Sequence, residues 1–281
     1  MMNRFIPISI LFLFSISLQA QSPWTQKMGG GFGQLSFMSI PSYDSFFAND
    51  ADTSRISARE YSEFAAQFYV EYGILRNTTL ILDAPLKVLN AAKLDSLSLS
   101  NKAGTLTSLG NTRLSVRHGF LSKGVALAGQ LMVEFPTGKY DDATGLRTGY
   151  DAFTVLPSIS VGGGLGKGYI YGYGGVGFRT NDYSHYFNGG IEGGFRPFES
   201  FWVMVFFDTI RSFKNGERIE PINNIESGFY VNDQEWASAG LKLLYNINDN
   251  IGLTASTTLA AFAANQVPQS PSLAIGVFME W

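Results

Sequence analysis

The chain has 281 residues, no cysteine, a formal charge of −3 and 15% charged residues, against about 25% in ordinary soluble domains. Without Cys there is no disulfide framework, thiolate metal site or lipid-anchored cysteine, and the charge is not basic enough to suggest nucleic acid. With 31 Gly, 23 Phe and 13 Tyr, low charge without long apolar runs suits a chain that hides alternate residues in lipid.

The first residues read as a secretory signal. Arg4 supplies the positive start, Phe5 to Leu18 the apolar run, and Leu18-Gln19-Ala20 a small-residue cleavage site. Residues 1–20 are therefore expected to be removed, leaving 21–281 as the barrel with a formal charge of −4 once Arg4 is lost. No later stretch of about eighteen apolar residues occurs, which excludes helical membrane spans.

Twelve segments with period-two character follow. They lie near 28–38, 61–73, 78–89, 109–121, 124–136, 150–163, 168–180, 183–195, 200–212, 234–246, 250–262 and 271–281. Each can cross the hydrocarbon core, which takes about nine to eleven tilted residues. Every second connection is tight: Leu75-Arg76-Asn77, Ser122-Lys123, Gly166-Lys167, Pro197-Phe198-Glu199 and Asn248-Asp249. The intervening links at 39–60, 90–108, 137–149, 213–233 and 263–270 are long and polar, except for the short one at Asn181-Asp182. Such sorting predicts an all-β protein, a transmembrane antiparallel up-and-down β-barrel of about 12 strands. A soluble β-sandwich is the alternative, with no reason to sort its loops in this way.

Alternation assigns the faces. Val125, Leu127, Leu131, Val133 and Phe135 share one side of their strand and suit lipid, while Gln130 and Glu134 share the other. The same sorting turns Glu63, Gln67, Glu71, Asp83, Lys87, Arg113, Arg117, Glu192, Arg196, Asp208 and Lys242 inward. Charges of both signs in a narrow lumen should pair, because a lone one is costly to desolvate. They form either a bracing network or a lining that guides a polar solute. Trp202, Met204 and Phe206 share the face of Asp208, so the interior is partly apolar. It either suits a small amphipathic or aromatic solute or is closed by its own side chains. Leu273, Ile275, Val277, Met279 and Trp281 alternate onto the lipid side of the last segment. Phe278 and Trp281 are the expected signal for the barrel assembly machinery, and outer-membrane lipid is the other expected partner.

Motifs for chemistry are weak. Gly172-Tyr173-Gly174-Gly175-Val176-Gly177 matches a dinucleotide pattern but lies within β-patterning, and the glycine run 162–168 lacks the phosphate-loop spacing. No cofactor is expected. Asp141, Asp142 and Asp151 lack calcium-loop spacing, so no metal site is expected. Ser184, His185 and Asn188 hold the ingredients of a hydrolase, but Ser184 and His185 are adjacent and point to opposite faces. No enzyme is expected. The loop 213–233, with Glu217, Arg218, Glu220 and Glu226, reads as an ordinary exposed loop.

Two stretches carry a family resemblance. Leu109-Gly110-Asn111-Thr112-Arg113-Leu114-Ser115-Val116-Arg117 resembles the "GLGD-x-x-L-x-x-(K/R)" strand of the outer-membrane family labelled MetA-pathway of phenol degradation, with Asn111 where the family has Asp. Pro136-Thr137-Gly138 is similar to its "PTG" segment, and Gly149-Tyr150-Asp151 to its "G-x-D" strand entry. The resemblance spans about residues 60–281, its distinctive motifs only 109–151. It implies a channel-like barrel passing small hydrophobic or aromatic solutes. Read physically, Pro136-Thr137-Gly138 simply ends a strand at the rim. Better-understood channels for such solutes carry an amino-terminal plug; Gln21 to Lys27 read as too short for one. A closed structural or binding barrel acting through its outer loops is the competing expectation.

Overall fold

A computed structural model describes residues 21–47, 54–92, 102–262 and 267–281. The signal segment expected at 1–20 lies outside the described residues. Twelve long strands form the wall: β1 (Gly31–Phe47), β2 (Ser54–Leu75), β3 (Thr78–Ala91), β4 (Thr112–Lys123), β5 (Val125–Phe135), β6 (Thr154–Leu165), β7 (Gly168–Arg179), β8 (Tyr186–Phe198), β9 (Phe201–Ser212), β10 (Trp236–Asn246), β11 (Ile251–Phe262) and β12 (Ser272–Glu280). Each pairs antiparallel with its sequence neighbours. β1 pairs with β2 on one side and β12 on the other, from Phe32↔Glu280 to Ser39↔Leu273. The sheet is closed, so every strand finds partners on both sides without water, as a membrane requires.

Alternation sorts the two surfaces. Phe64, Phe68, Leu114, Val116, Leu131, Ile159, Ile191, Leu253 and Ile275 are all exposed on the outside. A continuous apolar belt of this kind far exceeds the patch a water-soluble protein leaves open, and calls for lipid. The tight connections share one end of the barrel. Gly124 and Gly166 take positive φ there, at 73° and 61°, as tight turns demand. At the opposite end Asn181 and Asp182 both have positive φ, and Tyr183 N donates to Thr180 O at 3.3 Å. That is the pattern of a type I′ hairpin, and it explains how this outer link can be short.

The other outer connections are more ordered than the sequence suggests. Much of the expected loop 39–60 is strand, since β1 runs on to Phe47 and β2 starts at Ser54. Gly104–Leu109, all but its last residue in the expected loop 90–108, pairs with β3 above β4. The 22 residues of β2 span roughly 70 Å at the usual rise, far more than lipid needs. Beyond the membrane neither face must be apolar, so the alternation that marks a strand disappears while the pairing continues. Tyr140–Asp141 pairs with Leu146–Arg147, and Ile222–Ser227 forms a short helix, α1, ended by Gly228 in the left-handed region.

Candidate functional site: the lumen

At the tight-turn end the lumen is filled. Phe32, Tyr69, Ile81, Tyr169, Met204 and Phe278 are buried together there. Residues 21–26 run into the lumen beside this cluster. Trp24 stands edge-on to Tyr169 and Tyr171, with ring centroids 5.5 and 5.6 Å apart. The Gln26 side chain donates to Glu71 Oε2 at 2.9 Å and its backbone N–H to Thr79 Oγ1 at 2.8 Å. The Gln21 amide donates to Asn188 Oδ1 at 2.8 Å. The reading that Gln21–Lys27 is too short for a plug is therefore corrected: seven extended residues reach about 23 Å, enough to enter a lumen of this size.

Arg117 and Lys242 are each paired with a carboxylate at this level. Arg117, fully buried, donates to Glu71 Oε2 at 2.6 Å and to Ser22 Oγ at 3.1 Å. Tyr69 OH donates to the other oxygen of Glu71 at 2.6 Å. Lys242 reaches Glu192 at 3.0 Å, and Tyr169 OH donates to Glu192 at 2.6 Å. The Arg196 guanidinium lies 5.9 Å from the Trp202 ring centroid. Phe278 packs against Phe32 at 5.7 Å. Trp281 is half-exposed on the outside, lying against the flank of Gly33.

Above this plug is a cavity of about 440 Å³, to which all twelve strands contribute. On one wall Arg113 Nε donates to Glu134 Oε2 at 2.7 Å, with Asp83 at 3.6 Å. Asp83 also accepts from the Gln67 amide at 2.8 Å. Half of the Arg113 side chain stays exposed to the cavity. Across the lumen, on β9, Asp208 accepts from Tyr173 OH. Ser36, Ser238, Ser256, Thr258 and Ser272 give a hydroxyl-lined arc on β10–β12 and β1, and Met132, Leu156, Ile210 and Trp236 add apolar surface. Gln130 is buried beside the cavity, and its side-chain oxygen has no hydrogen-bond partner among the described residues.

The loop end is covered. Leu146 and Phe229, with Tyr230 beside them, pack on Tyr43, Phe46, Tyr61 and Leu89. Lys87 Nζ donates to Glu63 Oε1 at 2.6 Å and to Tyr230 OH. Tyr150 OH donates to Gln234 Oε1 at 2.9 Å, and Arg147 donates to Tyr183 OH at 2.9 Å and faces Glu220 at 3.5 Å. Burial raises the Tyr150, Tyr183 and Tyr230 phenols above their ordinary value, so they serve as neutral hydrogen-bonding groups. The reading of 213–233 as an ordinary exposed loop is corrected, since Glu220, Phe229 and Val231 are buried. The aromatic pair Phe229-Tyr230 inside a polar link was the available signal.

The glycine-rich stretches acquire a use here. Tyr169 lies directly opposite Gly194, Tyr186 opposite Gly177, Phe206 opposite Gly240 and Phe278 opposite Gly252. In each pair a Cβ on the glycine would collide with the ring of its partner. The rings therefore lie flat across neighbouring strands instead of standing into the lumen. Gly177, the last glycine of the dinucleotide-like run, belongs to this set.

The three family-like segments meet at one point on the rim. Asn111 donates to Glu134 Oε1 at 3.1 Å and to Tyr150 O at 2.9 Å, and accepts from Gly138 N at 3.2 Å. Thr137 Oγ1 donates to Gly110 O at 2.6 Å and accepts from Thr112 N at 2.9 Å. Gly149 sits so close to the Asn111 amide that a side chain there would strike it. β5 ends at Phe135, just before Pro136. The motif thus ties the rim to the Glu134–Arg113 pair.

The residues with hydrolase-like chemistry hold the loops. Ser184 Oγ donates to Asp233 at 2.5 Å and accepts from Gly216 N at 2.8 Å, while His185 Nδ1 accepts from Arg179 N at 3.2 Å. Asn188 faces Gln21 instead. Asp141 accepts from Thr144 Oγ1 at 2.5 Å, and Asp151 faces Arg218 at 3.4 Å. Among the described residues no His, Cys, Asp and Glu cluster could hold a metal.

No protein-family model and no curated protein sequence matches the chain. Solved structures do. An outer membrane channel from Pseudomonas putida F1 is similar at a TM-score of 0.72 and 13% identity, covering 94% of this chain and 100% of that one. The NanC porin follows at 0.52 and 7% identity, with 88% and 100% covered. The translocator domain of the autotransporter NalP from Neisseria meningitidis gives 0.52 and 10%, with 91% and 90% covered. The shared feature is the fold, that of an outer-membrane β-barrel.

Proposed function

We propose that the chain is a passive outer-membrane channel for small hydrophobic or aromatic solutes. The observation that carries this reading is the central cavity, walled by every strand and lined by both apolar and hydrogen-bonding groups, which is what a site for amphipathic solutes needs. The resemblance of residues 109–151 to the MetA-pathway of phenol degradation family supports the aromatic class. Liposomes holding the purified protein should take up small aromatic solutes faster than empty liposomes. Equal rates across a broad solute panel would sink the idea.

A second reading has its own observation. The loop residues Leu146, Phe229 and Tyr230 close the mouth, as they would in a binding barrel that acts through its loops. Replacing 222–230 with a short linker then abolishes the binding phenotype while the barrel still inserts. On either reading, outer-membrane lipid covers the apolar belt, and the assembly machinery reads Phe278 and Trp281. Deleting Trp281 should slow insertion into the outer membrane in vivo and leave detergent refolding intact.

A further inference from the structure

We propose that the lumenal cavity is a binding site for organic cations, specifically a primary ammonium group carried on an aromatic or alkyl body. The proposal rests on the channel reading and narrows the class of solute within it. Three independent features of the cavity converge on a cationic donor.

The first is charge. Asp83, Glu192 and Asp208 line the cavity, against Arg113 and Lys242. Both bases are already engaged, Arg113 by Glu134 at 2.7 Å and Asp83 at 3.6 Å, and Lys242 by Glu192 at 3.0 Å. Counting Glu134 and also Arg179, which lies 4.2 Å from the Tyr186 ring centroid, the carboxylates still outnumber the bases. In a narrow, low-dielectric lumen a small excess of one sign is focused on whatever enters. An anion would have to share Arg113 with two carboxylates.

The second is hydrogen bonding. Gln130 and Gln21 line the cavity, and their side-chain oxygens, turned into the wall, have no hydrogen-bond partner among the described residues. Gln130 is only 8% exposed. A buried acceptor left in this state is costly, and turning the Gln130 amide toward the cavity lets a ligand that brings N–H donors relieve it. An ammonium brings three. The third is the set of rings. Tyr171, Tyr173, Tyr186, Phe206 and Trp236 line the same space. Aromatic faces attract a desolvated cation and also accommodate its apolar body.

The test compares probes of one size and shape. Benzylammonium, benzyl alcohol and benzoate are titrated calorimetrically into the full mature chain in nonionic detergent. Benzylammonium should bind about tenfold more tightly than the alcohol, the effect of one charge-assisted hydrogen bond, and benzoate weakest. Equal affinity for ammonium and alcohol, or tighter binding of benzoate, overturns the proposal. The isosteric variants Asp83→Asn and Asp208→Asn should lower benzylammonium affinity and leave that of benzyl alcohol unchanged. Loss of both affinities together, or of neither, also overturns it. Should either variant fail to fold, Gln130→Leu provides the second arm: benzylammonium affinity should fall by a larger factor than that of benzyl alcohol, which brings a single O–H donor, and an equal fall in both overturns the proposal. Flux of the three probes into liposomes is measured in parallel. A binding preference without flux removes the channel reading and keeps the site, and flux without preference does the reverse.

Discussion

At the tight-turn end the lumen is filled by side chains that the wall strands carry, joined by one short segment. At the loop end it is covered by residues delivered on long connections. The inner closure is braced by ion pairs fixed to the strands, such as Arg117–Glu71 and Lys242–Glu192. The outer one joins loop to loop, as in Arg147–Glu220 and Ser184–Asp233, and meets the wall through contacts such as Lys87 to Tyr230. Groups held by a closed sheet have few alternative positions, whereas a loop can leave by breaking a few hydrogen bonds. The contrast locates rigidity at one end and adjustable access at the other.

The sharpest way to break this contrast is at Arg117. Arg117→Met leaves Glu71 buried beside a lost partner, and chemical unfolding should show a loss of about 3–5 kcal/mol. Pairing it with Glu71→Gln should recover most of that loss. Next comes Gly240→Ala, where the new methyl collides with the Phe206 ring. Overpacking of this kind costs about 1–3 kcal/mol, and in planar bilayers the displaced ring should lower conductance. Trp24→Ala tests the plug itself: conductance should rise, and rise further than for Tyr230→Ala, because residues 21–26 occupy the lumen whereas Tyr230 is one of several loop tethers. Tyr230→Phe should cost only about 1 kcal/mol and increase hydrogen exchange in 213–233 more than in the wall. Lys214→Ala, at the exposed end of a 4.0 Å pair with Glu235, should change stability by less than about 0.5 kcal/mol. An effect comparable to that of Arg117 would show that the outer closure is not loosely held.

The wall was legible in the sequence because lipid and lumen impose opposite demands on alternate residues. Val125 and Leu131 against Gln130 and Glu134 settle the register of β5 without any structure. The tight turns were legible for a related reason, since Gly124 and Gly166 supply backbone that few other residues tolerate. Legibility fails where those demands cease. β1 and β2 continue past the membrane, but register shifts between Ile40 and Ser45 break the alternation there, so their outer halves read as loop. The plug was missed because Ser22, Trp24 and Gln26 share a face without sharing an apolar or polar character, and their place depends on Arg117, Glu71 and Thr79 far along the chain. The knot around Asn111 lay in residues the sequence had singled out, but its joining of 109–112, 136–138 and 149–150 is a tertiary fact.

The opposition of rings and glycines across neighbouring strands has a wider consequence. A barrel's calibre is normally discussed as a function of strand number and tilt. Here each glycine that receives a ring acts as a recess in the wall, and exchanging glycine for alanine would project that ring toward the axis. Bore can therefore be narrowed or widened one recess at a time, with the hydrogen-bonded frame and the lipid-facing surface left untouched. A lineage of such barrels could retune what fits inside through substitutions invisible from the membrane.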